Sequence, residues 1–175
     1  MIIYPNYNFF CINHQNYNLT KLMTLWEYSS EFISLLSNDS SLTQRLYAFS
    51  NRKVKLSFQS FLISSLASQL IRTSILMNSS NQILIFAQSF WLIKNNKHYF
   101  YLESSLLGRL LIGKNFDFYK NTITYYFGYS RHLTNLFQSR GIIIGREYLL
   151  YKNKKKLFIM QEFFSPLFLL GLNQK

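Results

Sequence analysis

Residues 141–164, GIIIGREYLLYKNKKKLFIMQEFF, decide the fold. Two apolar runs, Gly141–Tyr151 and Leu157–Phe164, flank the basic segment Lys152–Lys156. Short runs rich in β-branched and aromatic residues, joined by a polar segment, read as two strands and their hairpin turn. Alternate side chains of a strand share a face. Glu162 is therefore in phase with Phe158, Met160 and Phe164, while Leu157, Ile159, Gln161 and Phe163 form the opposite row. Both rows are apolar, which predicts a strand covered on both sides. A carboxylate in such a place is costly unless it is paired or protonated.

In the preceding strand Arg146 is in phase with Ile142, Ile144, Tyr148 and Leu150. Working outward, Val54–Ser60, Gln69–Met77, Ile83–Leu92 and Asn121–Gly128 have the same strand texture. Asn78–Asn81 forms a hairpin loop between the second and third of these. Arg72 is in phase with Leu70, Ser74 and Leu76. Two arginines and one glutamate thus fall on core-facing rows of three strands. One interpretation is an internal Arg–Glu pair that fixes strand order. The other is a buried polar site for a small anion, for which the planar guanidinium fork is well suited. A slip in strand phase would remove both.

Ahead of the strands, residues 20–36 carry Leu22, Leu25, Trp26, Phe32, Ile33 and Leu36 in the rhythm of an amphipathic helix. Asn38-Asp39-Ser40 interrupts it, and Ser40 or Ser41 caps a second short helix through Leu42, Leu46 and Phe49. A third helix is expected at Ser104–Ile112, ended by Gly113. Helices followed by hairpin-linked strands predict an α+β fold with an antiparallel sheet and flanking helices. Residues 1–19 are Asn/Tyr-rich and read as a loose N-terminal extension, with 20–175 as a single domain.

Composition narrows the function. Apolar residues are 49% and aromatics 18% of 175 residues, which suits a folded chain. The net charge of +12 invites nucleic acid or an anionic surface. Yet Phe 17 and Tyr 13 stand against Gly 6 and Pro 2, the mark of AT-rich codons, so drift toward Lys explains much of that charge. An organelle or a reduced endosymbiont is the expected source. One cysteine, Cys11, and three scattered histidines, His14, His98 and His132, give no disulfide and no metal-ligand spacing. No apolar run reaches the ~18–20 residues of a membrane span. The first 18 residues read as neither signal nor transit peptide, so the protein is expected to act in the compartment that makes it. Lys152–Lys156 reads as a solvated turn, and no segment has the basic-aromatic signature of an RNA-recognition strand. An organelle ribosomal or RNA-binding protein, suggested by charge alone, is the alternative of another class.

Five motifs in order carry a resemblance. They are Ser40-Ser41-Leu42-Thr43-Gln44-Arg45-Leu46, Ile71-Arg72-Thr73-Ser74-Ile75-Leu76, Ile85-Phe86-Ala87-Gln88-Ser89, Leu106-Leu107-Gly108-Arg109-Leu110-Leu111, and Phe158-Ile159-Met160-Gln161-Glu162-Phe163-Phe164-Ser165-Pro166. Their order and spacing over residues 33–168 resemble the chorismate pyruvate-lyase family, including its plastid-encoded members. The resemblance implies an antiparallel sheet with flanking helices enclosing a small ligand site; the protein is expected to be a monomer in the plastid stroma. It implies cleavage of chorismate to 4-hydroxybenzoate, for quinone synthesis, and pyruvate, with neither metal nor cofactor and no nucleic-acid partner. By the same resemblance Arg72 holds the ring carboxylate, Glu162 sits at the other end of the ring, and the backbone at Leu42 and Leu107 lines the pocket. Glu162 then handles the proton or binds the hydroxyl, while Arg72 and Arg146 position the substrate electrostatically. A non-catalytic aromatic-acid-binding module of the same fold is the nearest alternative.

Overall fold

The computed structural model describes residues 7–13, 29–37, 42–50, 54–64, 69–92 and 118–168. Among the described residues seven strands form one antiparallel sheet: β1 (Tyr7–Asn13), β2 (Lys55–Ser64), β3 (Gln69–Met77), β4 (Ile83–Leu92), β5 (Phe118–Ser130), β6 (Ile143–Lys152) and β7 (Lys155–Phe164). Their order across the sheet is β1-β5-β6-β7-β4-β3-β2. Among the described residues three helices of seven residues or more accompany them: α1 (Ser30–Ser37), α2 (Leu42–Ser50) and α3 (Arg131–Phe137). The α+β class with an antiparallel sheet is as the sequence indicates.

The β6–β7 hairpin is the centre of the sheet. Its turn is tight, with Asn153 and Lys154 at φ 49 and φ 64. Two consecutive positive φ values give the turn a twist that matches right-handed strands. Beyond a register shift at Leu150/Tyr151, the hairpin pairs Leu150 with Phe158, Tyr148 with Met160, and Arg146 with Glu162. The expected hairpin loop at Asn78–Asn81 is also present, closed by Asn78 N–H to the Gln82 carbonyl at 3.0 Å. The Asn78 side-chain oxygen accepts from the backbone of Ser80 and Gln82.

Both faces of the central strands are covered. On one face Leu70, Leu76, Ile85, Trp91, Ile144, Tyr148, Phe158 and Phe164 pack with Phe32, Leu35 and Leu36 of α1 and Leu42 and Leu46 of α2. On the other, Phe86, Ile143 and Phe163 pack with Leu133 and Phe137 of α3. Each of these helices has seven to nine residues, too few to persist alone, so the sheet supplies their stability.

Three features depart from the sequence-based expectation. Tyr7–Asn13, expected within a loose extension, is an edge strand paired along its whole length with β5. Helix α3 was not anticipated; it begins where the Ser130 hydroxyl accepts from Leu133 N–H at 3.2 Å and ends at Gln138 in the left-handed region. The first predicted helix is shorter, starting at Ser30, where Ser29 Oγ accepts from Phe32 N–H. Its portion at 20–28 and the helix expected at 104–112 lie outside the described residues.

Gly145 is the cross-strand partner of Phe163. A Cβ there would lie 2.6 Å from the Phe163 ring and 2.9 Å from the Glu162 carbonyl oxygen. That ring cannot withdraw without leaving the α3 cluster. Gly145→Ala is therefore expected to destabilise the fold by about 1–3 kcal/mol, measured as a lower denaturant midpoint at unchanged slope.

Candidate functional site

Arg146 and Glu162 form the ion pair that their phases suggest. Arg146 Nε donates to Glu162 Oε2 at 2.7 Å, with the two side chains 2% and 5% exposed. Removing two charges from water is costly, and attraction alone rarely offsets it unless further hydrogen bonds complete both groups. Here they do. Arg146 Nη1 donates to the carbonyls of Leu35 at 3.0 Å and Leu36 at 2.7 Å. These belong to the last turn of α1, whose carbonyls have no partner within the helix. The guanidinium thus caps the helix at its negative end and fastens it to the sheet. Tyr148, two residues along β6, donates its hydroxyl to Glu162 Oε1 at 2.9 Å.

Protonation equilibria follow this geometry. Burial is the largest influence on Arg146 and lowers its pKa, but the Glu162 charge, Tyr148, the hydrogen bond to Glu162 and Tyr125 together outweigh it, so the group stays firmly cationic. Burial, then the Glu162 charge, pushes the Tyr148 phenol well above its ordinary 10.0, only partly opposed by Arg146. Burial lowers the Arg72 guanidinium pKa.

The sheet register locates the remaining groups. Arg72 pairs with Ser89, and Ser89 with Met160. Ser74 pairs with Ala87, and Ala87 with Glu162. Cross-strand partners share a face, so Arg72 and Glu162 lie on the same face. Two inter-strand spacings and two residues along the strand separate them, about 12 Å between Cα atoms from standard sheet spacings. Between them stand Ala87 and Ser89 of β4, both buried and both small. On this face two small residues of β4 thus stand between a guanidinium on β3 and a carboxylate on β7. Lys120 adds a third cation, its Nζ 5.0 Å from the Tyr148 ring centroid. Among the described residues that face carries Arg72, Arg146 and Lys120 against Glu162, an excess of positive charge.

The five site residues inferred from sequence divide accordingly. Arg72, Arg146 and Glu162 are brought to one face, and Leu42 is buried in the apolar cluster beneath the same helices. Leu107 lies outside the described residues. Tyr148 was not anticipated, because a tyrosine on an apolar row looks like core. Its signal was the hairpin register, which puts it diagonal to Glu162. Among the described residues no helix is long and apolar enough to cross a membrane.

Comparison with known proteins fixes the family. The family model described as "Chorismate pyruvate-lyase Rv2949c-like" matches residues 36–170. The protein ycf21 of Antithamnion sp., described as uncharacterized, is 37% identical over 144 residues, covering 78% of this chain and 79% of its own. The ycf21 protein of Porphyra purpurea is 39% identical over 84 residues, 48% of each chain. Among solved structures, PhnF from Mycobacterium smegmatis superposes with a TM-score of 0.54 over 93% of this chain and 89% of that one, at 9% identity, a likeness of fold alone. The chain belongs to the Rv2949c-like chorismate pyruvate-lyase family, as the five motifs implied.

The Arg146–Glu162–Tyr148 cluster makes two predictions about stability. Arg146→Met, which leaves the Glu162 carboxylate buried and α1 uncapped, is expected to cost about 3–5 kcal/mol in denaturant unfolding. Tyr148 gives the second, through pH. Below pH 10 folded and unfolded chains both keep its proton; above it the unfolded chain releases the proton and the folded one does not. Stability therefore falls with rising pH, by about 1.4 kcal/mol per unit for this group. Tyr148→Phe is expected to flatten the alkaline limb by that amount, read from urea midpoints between pH 9 and pH 11.

Proposed function

We propose that this member of the family cleaves chorismate to 4-hydroxybenzoate and pyruvate on the sheet face that carries Arg72 and Glu162. The observation that carries this is the pairing of a buried arginine and a buried glutamate across Ala87 and Ser89. A planar ring with a carboxylate at one end and a hydroxyl at the other suits that spacing. The excess of cations on the face suits a dianion.

In the reaction the ring hydrogen leaves as a proton and its electron pair completes the aromatic ring. The bond to the enolpyruvyl oxygen breaks, and the leaving enolate takes up a proton to become pyruvate. Aromatisation supplies the driving force, so the protein's task is to hold one conformer and manage one proton. Arg72 binds the ring carboxylate. Glu162 faces the ring hydroxyl and the departing proton, and the backbone at Leu42 lines the pocket. Arg146, with Nε and Nη1 committed to Glu162 and α1, aims the carboxylate. Tyr148 does the same from the other oxygen. Each carboxylate oxygen has a second lone-pair site, so both remain able to accept from a ligand. The plastid is the compartment we assign, supported by the codon bias and the ycf21 relatives.

The double engagement of Glu162 also favours a second reading, a module that binds the aromatic acid through its hydroxyl without turnover. Incubation of purified protein with chorismate separates the two. Formation of 4-hydroxybenzoate above the uncatalysed rate is expected, with Arg72→Ala and Glu162→Gln each reducing it about 100-fold or more. Folded protein that is stabilised thermally by 4-hydroxybenzoate and yields none from chorismate identifies the binding module instead.

A further inference from the structure

Ser89 stands beside Arg72 as its cross-strand partner, on the same face and 2% exposed. Its Oγ accepts from the Trp91 indole N–H at 2.7 Å. An indole nitrogen only donates, so this bond uses an oxygen lone pair and leaves the hydroxyl proton to be given elsewhere. Trp91 is fixed in turn, 4% exposed, with the Phe158 ring 4.1 Å away at 32°. The rotor that carries the Ser89 proton is thereby turned away from Trp91. Among the described residues that proton has no acceptor. A buried hydroxyl donor next to a guanidinium makes a composite donor site, and its complement is an oxyanion.

We propose that Ser89 is a ligand-binding residue whose hydroxyl, aimed by the Trp91 indole, donates to a carboxylate oxygen of the bound aromatic acid beside Arg72. This rests on the function proposed above and adds a carboxylate-selecting group to it. Neutral aromatic molecules of the same shape gain nothing from Ser89, because they offer no strong acceptor at that end. Serine is suited to the place: it is small enough to leave the ring its space over β4, yet carries the donor.

Calorimetric titration of 4-hydroxybenzoate and 4-methylphenol into wild type and Ser89→Ala tests this, with thermal unfolding of each protein alongside. The expected result is a loss of about tenfold or more in 4-hydroxybenzoate affinity, with 4-methylphenol affinity changed by less than about twofold. Should Ser89→Ala not fold, Ser89→Cys carries the same test, since a thiol is nearly the same size and a weak donor. Equal 4-hydroxybenzoate affinity in wild type and variant overturns the Ser89 assignment and leaves the proposed function standing. Parallel loss for both ligands also overturns it, marking Ser89 as a packing residue. Wild type that binds no 4-hydroxybenzoate overturns both.

Discussion

The buried contact between Arg146 and Glu162 joins three elements that the backbone alone would not hold in place. It crosses from β6 to β7, and through the guanidinium it reaches the last carbonyls of α1. Such a pair contributes little net stability compared with apolar packing, because desolvation consumes most of the attraction. What it contributes is uniqueness. A one-residue slip of β6 against β7 would turn Glu162 and Arg146 to opposite faces, leaving two buried charges unpaired. The register of the central hairpin, the end of α1 and the direction of the carboxylate are therefore set together. Every later feature of the site inherits that setting.

The two faces of the same strands differ in how they treat their carboxylates. Glu147, directly beside Arg146 in sequence, points the other way and accepts from neutral donors, Tyr126 at 2.8 Å and Gln161 at 2.6 Å. The face with α3 thus offers one carboxylate held by neutral groups. The face with α1 and α2 holds its carboxylate against a cation and has two more cations within it. Alternation along a strand places these unlike environments only one residue apart. It separates a polar row that completes itself from one that fits an anionic guest.

Much of this is legible in the sequence because strand periodicity is strict. Once residues 141–164 are taken as a hairpin, the phases of Arg146 and Glu162 follow, and Arg72 joins them through the alternation of Leu70, Ser74 and Leu76. β3 and β4 begin and end at the expected residues because a polar Asn/Ser turn bounds them on the inner side. Other elements depend on partners that are distant in sequence. Tyr7–Asn13 lacks a strand-like pattern of its own and becomes β1 by pairing with β5. Helix α3 is short, and its Ser130 cap and Leu133–Phe137 spacing are lost in a run that otherwise reads as the end of a strand. Tyr148 and Ser89 are ordinary residues on apolar rows. Their roles arise from cross-strand neighbours, Glu162 for the first and Arg72 for the second, which only the register reveals.

The central claim is that a small aromatic acid lies over β4 between Arg72 and Glu162. A crystal structure with 4-hydroxybenzoate bound tests it most directly. The carboxylate is expected against Arg72, the ring above Ala87, and the hydroxyl directed to Glu162, with the Arg146–Glu162 contact intact. A ligand bound on the α3 face, or one whose carboxylate lies away from Arg72, would contradict it.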